Sequence, residues 1–541
     1  MNAPEEQTNL EPAGKKAGKS ASLSLAAILM MAGLLFSKIT GQLREILVVP
    51  ILGLGTGSDA FFLGFQIPDL FYQLLVGGAI QAAITPSLAA SLEKKQEKKG
   101  WRSLSIFINL AAIVMLIAVA AGELLAPQLI QMYNSKKEPA VIALAIEVTR
   151  ALFPQVFFMM LAALCIGILN AYKKFSSTAF GPSVYNICVI LAMIILGRSG
   201  AVGAATGVML SAFVYFVMQF ILARREFRNY TFSLDYHDSG FRRLLHLAVP
   251  TLISGSIVQV NMIILTAFAN ENPGDVTLLR NASTTWQLPY GVFAVALGNV
   301  MLPSLAGYHA RQDVTAGRRI YTRSLRSALF LIFPSAALFL VMQQDTIRAI
   351  FQWSKDYSDR SIAVAASILG WYCLAMVAQT VIFITNQAFY ARKVTRVALY
   401  NGILTLILNA LFSWLLTRFT PLGVSSLSLS YAMTSLISAV LLYLIYSRGF
   451  PGAAPKRLWP FIMRCCLCAS VLILTVLALN TLPIAPAGKI AQLIWFAVRA
   501  AIGLAIYLTA AYALQMPESA QTLEKIGRIW KKLTGGKSVQ S

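Results

Sequence analysis

Charge is scarce in this chain. Only 12% of its 541 residues are Asp, Glu, Lys or Arg, against roughly 25% in an ordinary soluble domain, and that shortage excludes a water-soluble protein of three or four domains. Acid is scarcer than base: 22 Asp and Glu stand against 45 Lys and Arg, a formal net charge of +23. The excess does not point to nucleic acid, because the basic residues form short clusters between apolar runs. Three histidines, His237, His246 and His309, fall in loops or at the ends of apolar runs, without metal-ligand spacing. The six cysteines all lie inside apolar runs, which excludes a disulfide framework and makes Cys465-Cys466-x-Cys468 a set of small packing residues in preference to a metal site. A Gly-rich phosphate loop, a zinc motif and a nucleophile elbow are all missing. No loop is large enough to fold by itself, so no cofactor, metal or enzymatic activity is expected.

What the chain has is apolar length. Runs of about 20 residues recur from residue 22 to residue 515, giving about fourteen helical spans. They are continuous and not alternating, so helices are expected and not a barrel. The first run, over 23–36, follows Lys15, Lys16 and Lys19 and has no small-residue cleavage site, so it reads as an uncleaved span and not a signal peptide. Basic clusters alternate with the span count. Lys94-Lys95, Lys173-Lys174, Arg224-Arg225, Arg318-Arg319, Arg392-Lys393, Lys456-Arg457 and the tail with Lys525, Arg528, Lys531 and Lys532 share one side. The acidic turn from Asn270 to Asp275 and the stretch from Asn480 to Ala487 take the other, where the exceptions Lys136-Lys137 and Lys355 sit beside Glu138 and Asp356. The positive-inside rule then places both termini in the cytoplasm.

A weak repeat is visible: Pro86-Ser87-Leu88 ends the second span and Pro303-Ser304-Leu305 the eighth. An offset of six spans preserves orientation, so the fold class expected is an all-α polytopic membrane protein of two parallel six-helix halves plus two appended helices, with a central cavity between the halves. The boundaries are a basic tail over 1–21, one half over 22–223, a linker over 224–243, a second half over 244–447, two extra helices over 448–515 and a basic tail over 516–541.

Charges inside the spans are costly and call for a reason. Lys38, Arg44 and Glu45 interrupt the first span; Lys38 and Glu45, seven apart, share a face. Arg44 and Glu45 can snorkel to an interface, or Lys38 and Arg44 can face a cavity, the reading favoured by the depth of Lys38. Asp59 opens the second span, either as an N-cap or first-turn carboxylate that complements the dipole of its own helix or as a gating contact to a basic residue. Pro68 with Gly77-Gly78, and Pro289 with Gly291 and Gly298, predict two bent helices, which alternating access requires and static bundles also contain. Arg280 has no acidic neighbour within a turn on its C-terminal side. Arg150 reads as an ion pair with Glu147, and Arg499 as an interfacial residue. A cationic cavity suits an anionic substrate such as a phosphate-bearing lipid.

Three motifs, Ser37-Lys38-x-x-Gly41-x-x-Arg44-Glu45, Asp59-Ala60-Phe61-Phe62-x-x-Phe65-x-x-Pro68-Asp69-Leu70 and Gly78-Ala79-x-Gln81-Ala82-x-x-x-Pro86, resemble the MurJ (MviN) lipid II flippases of the MOP exporter superfamily. Phe153-Pro154, Gly167-Ile168-Leu169-Asn170, Pro289-x-Gly291-Val292 and Phe389-Tyr390-Ala391-Arg392 continue the resemblance in order. It implies a fourteen-helix inner-membrane protein that carries undecaprenyl-pyrophosphate-linked peptidoglycan precursor to the outer leaflet; an inside-negative membrane potential, or coupling to a monovalent ion, is a separate expectation for what would reset a cationic carrier. It assigns Arg44 and the substituting Lys38 to the pyrophosphate and Asp59 to an assisting role. Tyr72 stands where the family has an arginine, and Thr284 and Gln287 where it has an arginine and a glutamate; Arg280, one turn before Thr284, is the candidate replacement. Other expectations are a flippase for another polyprenyl-linked oligosaccharide, of the O-antigen or exopolysaccharide type, and a multidrug exporter, which would need more cavity carboxylates than the spans offer.

Overall fold

The computed structural model describes residues 33, 35–76, 83–134, 137–174, 176–269, 272–455, 458–483, 488–520, 522 and 524. The N-terminal lysines, Gly77-Gly78, Lys136, Asn270, Glu271, Lys456-Arg457 and the basic tail from Lys525 lie outside them. Among the described residues there is no strand.

Helix α1 covers 35–52, and a turn with positive φ at Gly53 and Gly55 leads into α2 (Thr56–Leu75). The second span resumes as α3 (Thr85–Glu93), with Pro86 in its first turn, where the missing N–H costs nothing. α4 (Glu97–Asn134), α5 (Pro139–Ala171), α6 (Ser176–Leu196), α7 (Gly200–Ala223) and α8 (Ser239–Phe268) follow. The eighth span is α9 (Asp275–Pro289), a π-helical turn at Tyr290–Val295 and α10 (Ala296–Ala310). Pro289 cannot donate a backbone hydrogen bond, and the ladder widens immediately after it; the bend expected there is a π-bulge. α11 (Val314–Val341), a short α12 (Gln343–Phe351), α13 (Asp359–Ala391), α14 (Thr395–Phe419), α15 (Ser425–Gly449), α16 (Leu458–Asn480) and α17 (Lys489–Ala513) complete the chain.

Ten helical runs among the described residues are long and apolar enough to cross a membrane, and one of them, Thr178–Ala223, takes in α6 from Thr178 onward and all of α7. Large apolar side chains are exposed along these helices, Ile117, Leu191, Ile407 and Leu474 among them. In water such surfaces would aggregate; in a bilayer they are solvated by acyl chains. The chain is an all-α polytopic membrane protein.

Two compact units divide it. One comprises residues 1–47, 67–126 and 147–256; the other comprises 48–66, 127–146 and 257–541. The first is built around Leu88, Trp101, Leu104, Val156, Met160 and Ile168, with the Trp101 indole donating to Tyr172 Oη at 2.9 Å. The second packs Tyr321, Leu329, Phe389, Tyr446, Leu472 and Tyr507. The boundaries within α2 and α4 fall beside prolines, Pro68 and Pro127.

Helix packing in the first unit depends on close approach at Gly122, where an added Cβ would come within 2.1 Å of the Phe153 ring. Gly122→Ala is expected to cost about 1–3 kcal/mol of overpacking and to lower the unfolding temperature in detergent. Gly307→Ala, where a Cβ meets open space, is expected to leave it unchanged or raise it. Equal unfolding temperatures for Gly122→Ala and the parent would contradict the packing described.

Candidate functional site: a cross-helix cap and three span cations

The first turn of α2 and the first turn of α9 meet in the second unit. Gly274, at φ +96°, starts α9 without a side-chain cap of its own, which leaves the first backbone N–H groups to find another acceptor. Asp59 supplies it. One carboxylate oxygen accepts from Gly274 N at 2.7 Å, and the other from Thr277 N at 2.9 Å and Thr277 Oγ1 at 2.6 Å. Ser58 Oγ lies 2.9 Å from Thr277 Oγ1. Asp59 therefore stands in the first turn of α2, as the sequence allows, and the backbone N–H groups that its carboxylate caps are those of α9. The reason is geometric: Ser58 and Asp59 stand side by side at one helix start and face the positive end of another.

Lys137, in the loop between α4 and α5, donates to the carbonyl of Ala269 and interacts with both Asp59 and Asp275. Burial of its ammonium dominates over those two carboxylates and pushes its pKa down to about 8. The pair Lys136-Lys137 breaks the charge pattern of the sequence, and for Lys137 the cause is this buried contact; the anomaly itself was the only signal available.

The rest of the α2 start is stitched into the same unit. Ala60, Phe61, Phe62 and Leu63 are buried. Thr266 Oγ1 donates to Gln66 Oε1 at 2.9 Å, and Tyr133 donates to the Leu63 carbonyl at 3.4 Å. Arg280 lies with its guanidinium carbon 5.8 Å from the Phe62 ring centroid. Thr284 and Gln287 follow Arg280 on the same face of α9; Thr284 donates to the Asn281 carbonyl, and the exposed Gln287 donates to Ser283 Oγ.

The first-span cations lie in the first unit and are held differently. Arg44 is half-buried and pairs with its buried neighbour Glu45 at 2.8 Å. Adjacent helical residues do not ordinarily face each other, but the long arginine folds back to reach, with Asp69 and Tyr185 also in electrostatic range. Glu45 is 6% exposed, so it does not snorkel. Lys38 is exposed, beside exposed Phe36 and Ile39, and does not share the burial of Glu45 despite sharing its face. Tyr72 packs against the core of this unit. Arg150 does not pair with Glu147 among the described residues; its Nε donates to the Glu123 carbonyl at 3.3 Å. Arg499 is buried and pairs with Asp345 at 2.9 Å.

These features define a class: a polytopic helical protein with the fold of the MOP transporters. A solved lipid II flippase MurJ in an inward closed conformation superposes with a TM-score of 0.76 at 20% identity, covering 90% of this chain and 98% of that one. A multidrug-resistance MATE transporter of the MOP superfamily in an inward-facing conformation gives 0.62 at 16% identity, over 78% and 94%. The family model described as "Lipid II flippase MurJ" matches residues 48–490. The chain belongs to that family. It is 26% identical over 452 residues to the lipid II flippase MurJ of Burkholderia cenocepacia, covering 81% of this chain and 86% of that protein. It is 29% identical over 422 residues to a Rhizobium meliloti protein named "Probable lipid II flippase MurJ", covering 75% and 77%.

The environment of Lys137 sets a pH dependence with a definite sign. Its folded-state pKa of about 8 lies below the ordinary lysine value of 10.5, so between those pH values the unfolded chain binds the extra proton and folding gains stability as pH rises. Reductive ¹³C-methylation with NMR titration is expected to show one lysine, lost in Lys137→Gln, titrating near pH 8. A Lys137 midpoint at the ordinary value would contradict the burial.

Proposed function

We propose that this chain is a lipid flippase that moves lipid II, the undecaprenyl-pyrophosphate-linked peptidoglycan precursor, from the inner to the outer leaflet of the bacterial cytoplasmic membrane by alternating access. The observation that carries this reading is the family match running unbroken from residue 48 to residue 490. In the proposal the chain crosses the membrane about fourteen times, with both termini cytoplasmic, as two parallel halves over 22–223 and 244–447 and an appended pair over 448–515.

Lys38 and Arg44 from the first span and Arg280 from the eighth are the proposed diphosphate ligands. Arginine offers a planar fork that matches phosphate oxygens, and lysine a point charge. Each such contact is worth about 1.5–3 kcal/mol as a charge-assisted hydrogen bond, enough to hold a headgroup and little enough to release it. Glu45 already occupies one side of Arg44, so substrate binding becomes an exchange between a carboxylate and a phosphate. Thr284 and Gln287 add neutral donors along the Arg280 face. Asp59 is the proposed gating residue, and Pro68, inside α2, and Pro289, before the π-helical turn, are where the second and eighth spans are proposed to change shape. An inside-negative potential, at about 2.3 kcal/mol per charge per 100 mV, returns the cationic empty carrier inward, alone or with a coupled monovalent cation.

Complementation tests this directly. In a strain depleted of its essential lipid II flippase, the wild-type chain is expected to restore growth and clear the accumulated lipid-linked precursor. Arg44→Ala and Arg280→Ala, present at wild-type abundance, are each expected to fail. Full rescue by Arg280→Ala would remove that residue from the site, and failure of the wild type would redirect the substrate to another polyprenyl-linked saccharide.

A further inference from the structure

Three cations gather around one cavity at the start of α17. α12 contributes Asp345 and Arg348, α16 ends at Asn480, and the first three turns of α17 bring Lys489, Gln492 and Arg499; with their neighbours they line about 430 Å³. Two of the three cations are neutralised. Arg499 lies 2.9 Å from Asp345 Oδ2 and 2.6 Å from Asn480 Oδ1, and Arg348 lies 2.8 Å from Asp359 Oδ1. Lys489 is not: it donates to the backbone carbonyl of Arg348, and among the described residues no carboxylate pairs with it. One positive charge is left over. The Nε atoms of Arg348 and Arg499 are also buried with no hydrogen-bond partner, which is costly for charged groups unless something else meets them.

Position argues against accident. The stretch between α16 and α17 lies, by the alternation of basic clusters, on the side where Lys and Arg are depleted. Trp353 and Trp495 flank the cations, with Lys489 Nζ 5.1 Å from the centroid of the first and the Arg499 guanidinium 5.6 Å from that of the second. Tryptophan is the residue of the membrane–water boundary. Directly beside Lys489 on α17, Ile490 and Ile494 are 76% and 60% exposed. A free anion needs no apolar flank, whereas a lipid headgroup does.

We infer that this cavity binds the phosphodiester headgroup of an anionic phospholipid, with Lys489 and Arg348 on the phosphate and the acyl chains along Ile490 and Ile494. A headgroup of one negative charge matches the surplus of one positive charge. None of Lys38, Arg44, Asp59 and Arg280 lines this cavity, so its ligand is distinct from the transported lipid. The placement of the cavity on the side depleted of Lys and Arg rests on the topology proposed above; its charge and lining do not.

Native mass spectrometry of the full-length protein in detergent tests it, using dioleoyl-phosphatidylglycerol, dioleoyl-phosphatidylcholine and inorganic phosphate as separate probes. Phosphatidylglycerol is expected to bind more tightly than phosphatidylcholine, and Lys489→Gln to weaken its first binding event about tenfold, the loss of one charge-assisted contact. Lys489→Arg is expected to retain it, and both variants to keep the parental unfolding temperature in phosphatidylcholine. Equal phosphatidylglycerol affinity in Lys489→Gln and wild type would overturn the site, as would no preference over phosphatidylcholine. Displacement of phosphatidylglycerol by inorganic phosphate alone would overturn the lipid and leave a free-anion site. Lys489→Gln leaves Lys38, Arg44 and Arg280 in place and is expected to complement the depleted strain, so loss of phosphatidylglycerol binding in that variant is separate from failure of the transport reading.

Discussion

One buried carboxylate joins two helix starts. Asp59 takes three hydrogen bonds from Gly274 and Thr277, and it does so at the positive end of α9, where a negative charge is favoured twice, by the aligned backbone and by the orphan N–H groups. Removing a carboxylate from water costs several kcal/mol; three donors, a helix dipole and the nearby Lys137 ammonium offset that cost. Every one of these partners can be exchanged for water. A joint of this kind is stable while dry and separable once wetted, as the gating role proposed for Asp59 requires.

The joint also accounts for how α2 is partitioned. Its start, through Gln66, belongs with the second unit, and the remainder, from Ile67, with the first. The Asp59-Ala60-Phe61-Phe62-x-x-Phe65 motif is therefore the part of the helix committed to α8 and α9, by burial of its aromatics and by the Gln66–Thr266 contact. Pro68 follows at once. A proline removes a backbone bond where the helix passes from one packing environment to the next, as Pro127 does in α4. In the eighth span Pro289 and the π-helical turn separate the capped start from α10. The two spans that meet at Asp59 each carry a proline downstream of the joint, Pro68 and Pro289.

Much of the fold was legible because lipid makes its demands locally. Continuous apolar runs, the interruptions at prolines and the order of the family motifs can all be read within a window of residues, and the helices fall where those windows are. The site was legible only in its residue types. Asp59 announces a cap, but its partners lie 215 and 218 residues away, and nothing local says which helix it faces. The same blindness misplaced Arg150, which takes a backbone carbonyl 27 residues back and not the carboxylate three residues away. It also hid the partners of Arg499, Asp345 and Asn480, which lie 154 and 19 residues away. Lys137 was visible as an exception to the charge pattern, and there the exception marked a specific buried contact; Lys489 was not singled out, because its partner, the Arg348 carbonyl, lies 141 residues away.

The central claim is that the α2–α9 joint must part for transport to proceed. A disulfide across it tests this, since Ser58 Oγ and Thr277 Oγ1 are 2.9 Å apart. The Ser58→Cys/Thr277→Cys double variant, assayed for lipid II flipping in cells under oxidising conditions and again after reduction, is expected to be arrested when cross-linked and active when reduced, with each single variant active throughout. Undiminished flipping by the fully cross-linked protein would contradict the account.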